Sequence, residues 1–243
     1  MPVAMITGGG SWMSRWTAHR LMESGWRVEL FDRDGDAVAK VAADLGGGNA
    51  VHHETLDVSR YDDVARAAKG VHDRHGSIDA LVNIAGGSRS LKLPRKDFVD
   101  TTPDYWTTMI DNNLKTVFNS THCVLPYMKR QKKGAIVSVA ASRGLKGGPK
   151  ASLYSACKAG IILFTQMLSI EVAPLGIRIN SIAPGDTDSR WKVLEQPSGP
   201  PRSPLGRPPS PEDVGNAIAF LVSDKASHIT GSCIDVSGGT TLY

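Results

Sequence analysis

What most constrains this chain is an alternation. Short apolar runs are separated by longer stretches of helical spacing, almost to the C-terminus. Residues 3–6, 27–31, 50–56, 78–84, 135–139, 177–182 and 232–236 read as strands, and 14–24, 36–45, 61–75, 103–129, 152–173 and 211–222 as helices. Strands that are apolar nearly throughout must be buried on both sides, so the alternation calls for a parallel sheet covered on both faces. The expected fold is therefore α/β: a doubly wound, seven-stranded parallel sheet with helices on both faces. A length of 243 residues suits one large core, so one domain over 1–243 is expected.

The turn between the first strand and the first helix reads Thr7-Gly8-Gly9-Gly10-Ser11-Trp12-Met13-Ser14. Glycines there let an anion approach the backbone N–H groups at a helix N-terminus. Thr7, Gly8, Gly10, Ser11, Trp12 and Met13 are thus candidates for holding a dinucleotide. Trp12 is the difficulty. Its indole must point away or fill pyrophosphate space, and a positive φ at that position would add strain. The second strand ends in Asp32, about 20 positions on, where a carboxylate can accept hydrogen bonds from an adenosine ribose. Asp32 would repel a 2′-phosphate that Arg33 could attract, and the carboxylate is the better placed, so NAD is preferred to NADP. Asp57 and Val58 close the third strand; Asp57 can contact adenine, or serve simply as a helix N-cap or turn residue.

Tyr154-Ser155-Ala156-Cys157-Lys158 falls in a long helix, and a separation of four puts Tyr154 and Lys158 on one face. An ammonium beside a phenol stabilises the phenolate and lowers its pKa from about 10 towards working pH. The tyrosine then becomes a usable acid/base for a hydroxyl or carbonyl.

The glycine turn, Asp32, Asp57-Val58, Asn83-Ile84-Ala85-Gly86, Asn113, the Tyr154/Lys158 pair and Asn180-Ser181-Ile182-Ala183-Pro184-Gly185 occur in that order. With Ile229-Thr230-Gly231 and Gly238-Gly239, they make the chain resemble the short-chain dehydrogenase/reductase family from about residue 3 to 240. The resemblance implies a single Rossmann-type domain, an NAD or NADP cofactor, and frequent assembly into homotetramers. It implies hydride transfer between nicotinamide and an alcohol or ketone, with Tyr154 as acid/base. Lys158 would hold the nicotinamide ribose and lower the tyrosine pKa, and Asn113, rather than Asn112, would hold a water of the proton relay. Asn83, Ala85 and Gly86 would line the cofactor site, while Pro184, Gly185 and Thr187 or Ser189 would lie against the nicotinamide.

Two positions depart from the family pattern. Its TGxxxGxG turn falls on Thr7, Gly8, Trp12 and Ser14, and its active-site serine falls on Ala141. Ser142, the neighbour, is the candidate replacement if the loop 142–149 is rearranged. Removing such a donor commonly costs a few kcal/mol of transition-state stabilisation. The two departures motivate an alternative: a binding or regulatory protein of the same fold, with impaired cofactor binding and little catalysis.

Other classes are not favoured. The net charge is +4 with scattered Lys and Arg, which argues against nucleic-acid binding. Cys123, Cys157 and Cys233 form neither a disulfide framework nor a zinc pattern, and His72, Asp73 and His75 read as a solvated face rather than a metal site. No uninterrupted run of 18 apolar residues and no leader pattern appears, so no membrane span and a cytoplasmic location are expected. Basic residues gather in two loops, Arg89, Lys92, Arg95 and Lys96, and Arg143, Lys146 and Lys150. They suit an acidic substrate, though solvated loops are the preferred reading. From Pro197 to Pro211 seven of fifteen positions are proline, making about 190–211 an irregular loop, either a connector or a substrate-side flap. The long helices 103–129 and 152–173 resemble the family's oligomer-forming pair, so a homo-oligomer is expected.

Overall fold

The computed structural model describes residues 1–87, 91, 93–187 and 203–241. Seven strands form one parallel sheet: β1 (Val3–Thr7), β2 (Arg27–Asp32), β3 (Val51–Thr55), β4 (Ala80–Asn83), β5 (Gly134–Val139), β6 (Ile177–Pro184) and β7 (Cys233–Val236). Their order is β3-β2-β1-β4-β5-β6-β7. The expected doubly wound sheet is therefore present, with ends within a few residues of those read from the apolar runs. β3 differs in character. It is an edge strand, and His52, His53 and Thr55 are exposed.

The helices are α1 (Trp12–Glu23), α2 (Gly35–Asp44), α3 (Tyr61–His75), α4 (Pro103–Ile110), α5 (Thr116–Gln131), α6 (Ser142–Leu145), α7 (Ser152–Val172) and α8 (Pro211–Val222). Alternate residues of β1 divide the core. Ala4 and Ile6 pack with Leu21 of α1, Val38 of α2 and Ile218 of α8. Val3 and Met5 pack with Val64 of α3, Val124 of α5 and Val172 of α7. Local chemistry fixes the helix starts: Ser11 caps α1, Asp34 caps α2, and Ser210 with Asp213 forms a capping box ahead of Pro211.

The stretch read as one helix over 103–129 is interrupted. Between α4 and α5, Asp111–Lys115 forms a π-helical turn, an irregularity frequent at functional sites. By length and a mean hydropathy of 1.4, the segment Ser152–Leu175 could cross a bilayer; here its inner face, with Cys157, Ile161 and Thr165, is buried. Among the described residues one carboxylate lies inside the fold. Glu29 of β2 is 1% exposed and meets Arg74 at 2.7 Å, His75 at 2.6 Å and His52 at 2.8 Å. Burial pushes its pKa up, but the hydrogen bonds from Arg74 and His75 outweigh it and hold the group below its ordinary value.

Candidate active site

Parallel register brings the C-terminal ends of four strands together. Thr7 pairs with Asn83, Asn83 with Ser138, and Val139 with Ile182. β1 has β2 on one side and β4 on the other, so the strand order reverses there, and this is where open α/β sheets form ligand crevices. A cleft of about 530 Å³ opens at that point, lined by Gly8, Gly10, Ser11, Asp32, Arg33, Asp57, Val58, Ala85 and Gly86 among others. Gly8 has φ +72°, and a Cβ on it would stand 2.7 Å from the Ala85 nitrogen. A Cβ on Gly10 would meet that of Ala37 at 2.7 Å. Both positions demand glycine because backbone and helix approach so closely.

Asp32 is held in place by the turn itself. One carboxylate oxygen accepts the Gly10 N–H at 2.9 Å, and the other accepts the Asp34 N–H at 3.0 Å. Each oxygen keeps a further lone pair towards the cleft. Asp57 accepts from the Ser59 N–H and hydroxyl at 2.9 and 2.7 Å. It is thus a turn residue that also lines the cleft; Arg60, not Asp57, stands at the N-cap of α3.

Trp12 resolves through helix geometry. It is the first residue of α1, and among the described non-glycine residues only Lys132 and Lys150 have positive φ. The indole is 39% exposed, with the Arg15 guanidinium carbon 5.4 Å from its centroid. Ser11 lines the first cleft and Met13 the second, while Trp12 lines neither. Ser14 is fully buried in the family's third glycine position, and its hydroxyl donates to the Gly8 carbonyl at 2.5 Å. A serine there ties the helix back to the turn instead of loosening it.

Beyond Gly86 a second cleft of about 210 Å³ continues along the strand ends. Met13, Gly86, Ala141, Ser142, Arg143, Tyr154, Lys158, Pro184, Gly185 and Thr187 line it, with Arg95 at its rim. Lys158 is 3% exposed, and its ammonium donates to the Val139 carbonyl at 2.8 Å. The same nitrogen lies 5.8 Å from the Tyr154 ring centroid. Burial pushes the Lys158 pKa down to about 8. Gly144 explains how α6 comes so near: a Cβ there would stand 2.7 Å from the Lys158 carbonyl carbon. Ala141 is buried at the cleft wall, and Ser142 opens α6 beside it and faces the same cleft.

The π-turn has a defined role. Asn113 is fully buried; its amide oxygen accepts the Gly87 N–H at 2.7 Å and its nitrogen donates to the Met109 carbonyl at 3.0 Å. Asn112 donates to the Gly87 carbonyl at 2.9 Å and lines the first cleft. Together they clamp the loop after β4, and a Cβ on Gly86 would be 3.2 Å from Asn113 and 3.5 Å from Lys158. Asn83 sits elsewhere. It lies beneath the cleft floor, donating to Ser138 at 3.1 Å and Thr121 at 3.3 Å, and its neighbours Ile84, Ala85 and Gly86 form the lining. Thr7 is likewise buried, its hydroxyl 3.4 Å from the Ala85 N–H.

Gly87 and Asp186 join the site although the sequence reading did not select them; a glycine directly after Asn83-Ile84-Ala85-Gly86 was the available signal for the first. Arg89, Lys92, Ser189 and residues 190–202 of the proline-rich loop lie outside the described residues. A larger concavity, about 1110 Å³, lies at the opposite, N-terminal ends of the strands, among Pro2, Asp79, Gly134 and Ile177, and holds none of the predicted site residues.

A family model described as Enoyl-(Acyl carrier protein) reductase matches residues 12–241. The chain is 36% identical to the 3-oxoacyl-[acyl-carrier-protein] reductase FabG of Thermotoga maritima, over 99% of this chain and 98% of that one. It is 34% identical to a 2-dehydro-3-deoxy-L-rhamnonate dehydrogenase (NAD(+)) of a Sphingomonas species, over 99% and 95%. Among solved structures, a 3-ketoacyl-(acyl-carrier-protein) reductase from Brucella melitensis complexed with NADH superposes with a TM-score of 0.88 at 28% identity. That match covers 99% of this chain and 98% of the other.

Proposed function

This chain belongs to the short-chain dehydrogenase/reductase family of oxidoreductases, and we propose that it moves a hydride between a nicotinamide dinucleotide and an alcohol or ketone, with Tyr154 as acid/base. The observation that carries the reading is the buried Lys158 ammonium, fixed on the Val139 carbonyl beside the Tyr154 ring, in a cleft continuous with the Asp32 pocket. A surface Tyr/Lys pair would have no reason to sink its ammonium into the core, where burial is costly unless the charge has a use.

The residues present fit a dinucleotide. The N–H groups of Trp12 and Met13, the first two of α1, have no intrahelical acceptor, and the helix N-terminus favours negative charge. Gly8 and Gly10 let the turn pack tightly on Ala85 and Ala37, so that its backbone lines the cleft, and Asp32 offers its free lone pairs to ribose hydroxyls. A bound nicotinamide would donate or accept the hydride. Lys158 holds positive charge next to the phenol and favours the phenolate, so Tyr154 can take a proton from an alcohol or return one to a ketone oxygen. Asn113 keeps the Gly86–Gly87 loop against Lys158. Ser142 is the hydroxyl available to the substrate oxygen, since Ala141 has none.

NAD is the preferred cofactor because the Asp32 carboxylate, fixed by two backbone donors, would repel a 2′-phosphate. The names of the relatives span thioester and sugar-acid substrates, so family membership leaves the alcohol or ketone open. Assembly into a homo-oligomer is part of the same proposal. The reading of a non-catalytic binding module drew on Trp12 and on Ala141; the indole is exposed and lines neither cleft, and Ser142 brings a hydroxyl to the cleft beside Ala141.

The test is turnover of an alcohol and ketone panel with NAD(H) and NADP(H), by wild type and Tyr154→Phe. The expected loss is roughly 10²–10⁴-fold in kcat with dinucleotide affinity retained. Equal turnover by the two proteins would remove Tyr154 from the mechanism.

A further inference from the structure

We infer that the substrate is a small hydroxy or oxo carboxylic acid whose carboxylate is bound by Arg143; this rests on the oxidoreductase reading of the same cleft. Arg143 lies one residue beyond Ser142 on α6 and faces the cleft that holds Tyr154 and Lys158. It also faces an adjoining space of about 410 Å³, so it stands at the passage between the two. The side chain is half-buried, yet it makes no ion pair or hydrogen bond with any described residue. Several other arginines of the fold are committed: Arg20 to Glu23, Arg74 to Glu29, Arg207 to Asp213, Arg178 to carbonyl oxygens.

A partly desolvated guanidinium without a partner is unfavourable unless a ligand supplies one. Gly148 leaves space for it: a Cβ there would collide with Arg143 Nη1. The planar fork of an arginine matches a carboxylate through two parallel N–H···O bonds. The surrounding charge agrees. Arg95 stands at the rim of the Tyr154 cleft and Lys146 lines the adjoining space, while Asp186 is the only acid among the described residues lining either. Asp186 also selects between anions. It borders both spaces beside Arg143, and would oppose a phosphate dianion more strongly than a carboxylate monoanion.

Matched pairs of one skeleton provide the test: lactate against lactamide and 3-hydroxybutyrate against 3-hydroxybutyramide, assayed with wild type, Arg143→Gln and Arg143→Lys. Wild type is expected to prefer the acids at least tenfold in kcat/KM. Arg143→Gln should cut the acid-to-amide ratio tenfold or more, with the loss falling on KM rather than kcat. Arg143→Lys should restore part of it, having the charge but not the fork. Amides used as well as acids by wild type, or an unchanged ratio in Arg143→Gln, would overturn the inference while leaving the oxidoreductase reading intact. If neither class is turned over, the oxidoreductase reading rests on the alcohol and ketone panel above, and binding decides the carboxylate site. Malonate and malonamide, titrated by NMR into wild type and Arg143→Gln, then decide the carboxylate site. Malonate binding that is lost in the variant upholds it, and equal or absent binding refutes it.

Discussion

Trp12 shows how one residue can look disabling in sequence and be harmless in place. A tryptophan cannot comfortably take a positive φ, but the first residue of a helix needs none, and its side chain can leave by the solvent side. What the site requires at that position is an N–H, which any residue but proline supplies. Trp12→Gly should therefore leave NADH affinity within about twofold while destabilising the fold by roughly 0.5–1 kcal/mol, the helix propensity difference. Calorimetric titration and thermal unfolding measure the two, and much tighter binding by the glycine variant would mean that the indole obstructs. Lys158 is the opposite case, a residue whose burial works against stability. Its pKa falls from 10.5 to about 8 on folding. Below pH 8 it is charged in both states and the folded protein carries the full desolvation cost. Between 8 and 10.5 the unfolded chain binds more protons, so stability rises with pH; above 10.5 the cost is gone. Lys158→Met removes this dependence. The stability of the variant relative to wild type should fall by about 2 kcal/mol between pH 7 and pH 10, read by urea denaturation, with turnover abolished throughout. A difference that does not change with pH would mean the lysine is not buried as a charge.

At the scale of elements, the site depends on how closely α6 is pressed onto α7. A Cβ on Gly144 would meet the Lys158 carbonyl carbon at 2.7 Å and the Ala159 nitrogen at 2.9 Å, both backbone and unable to give way. Gly144→Ala should push α6 outward, destabilise by about 1–3 kcal/mol, and lower kcat/KM at least tenfold by displacing Ser142 and Arg143 from the cleft. Thermal unfolding and steady-state rates would show both effects, and a variant with native stability and activity would refute the close packing. In the sequence Gly144 is one more loop glycine, and nothing local shows the packing that requires it. The same holds more widely. Strand and helix periods were readable because burial on two faces or one is a local pattern. The π-turn was not, because it rests on Asn113 reaching the Gly87 N–H, 26 residues away in sequence. Asn83 was read as part of the cofactor lining, but the alternation of a strand turned its side chain under the floor towards Ser138. α6 is not legible in the sequence because four residues carry no period. Tyr154 and Lys158 were legible because one helix turn fixes their relation without help from the rest of the chain.

For the whole molecule, the outer face of α7 is the part of the surface that the chain alone does not explain. Leu163, Met167 and Ile170 recur at intervals of four and three, so they share one side of the helix, and they are 57%, 50% and 70% exposed. Phe118 of α5, 40% exposed, packs at a tilt against Phe164 of α7 with ring centroids 4.7 Å apart and widens the stripe. Burying a large aliphatic side chain is worth about 1.5–3 kcal/mol, so leaving this set in water forgoes several kcal/mol that a second copy could recover. A bilayer would be a poor alternative cover. The opposite face of α7 is committed to the sheet and buries Lys158, whereas a helix ringed by lipid is apolar on every side. A two-fold pairing of α5 and α7 with the same helices of a second copy would make one stripe cover the other, as self-complementary patches do. Wild type is accordingly expected to run as a dimer or larger assembly in light scattering at micromolar concentration. Leu163→Glu combined with Ile170→Glu should give a monomer that still binds NADH, since the cleft lies at the strand ends and away from this face. A wild-type monomer, or a double variant with unchanged mass, would leave the stripe without its partner and disprove the pairing.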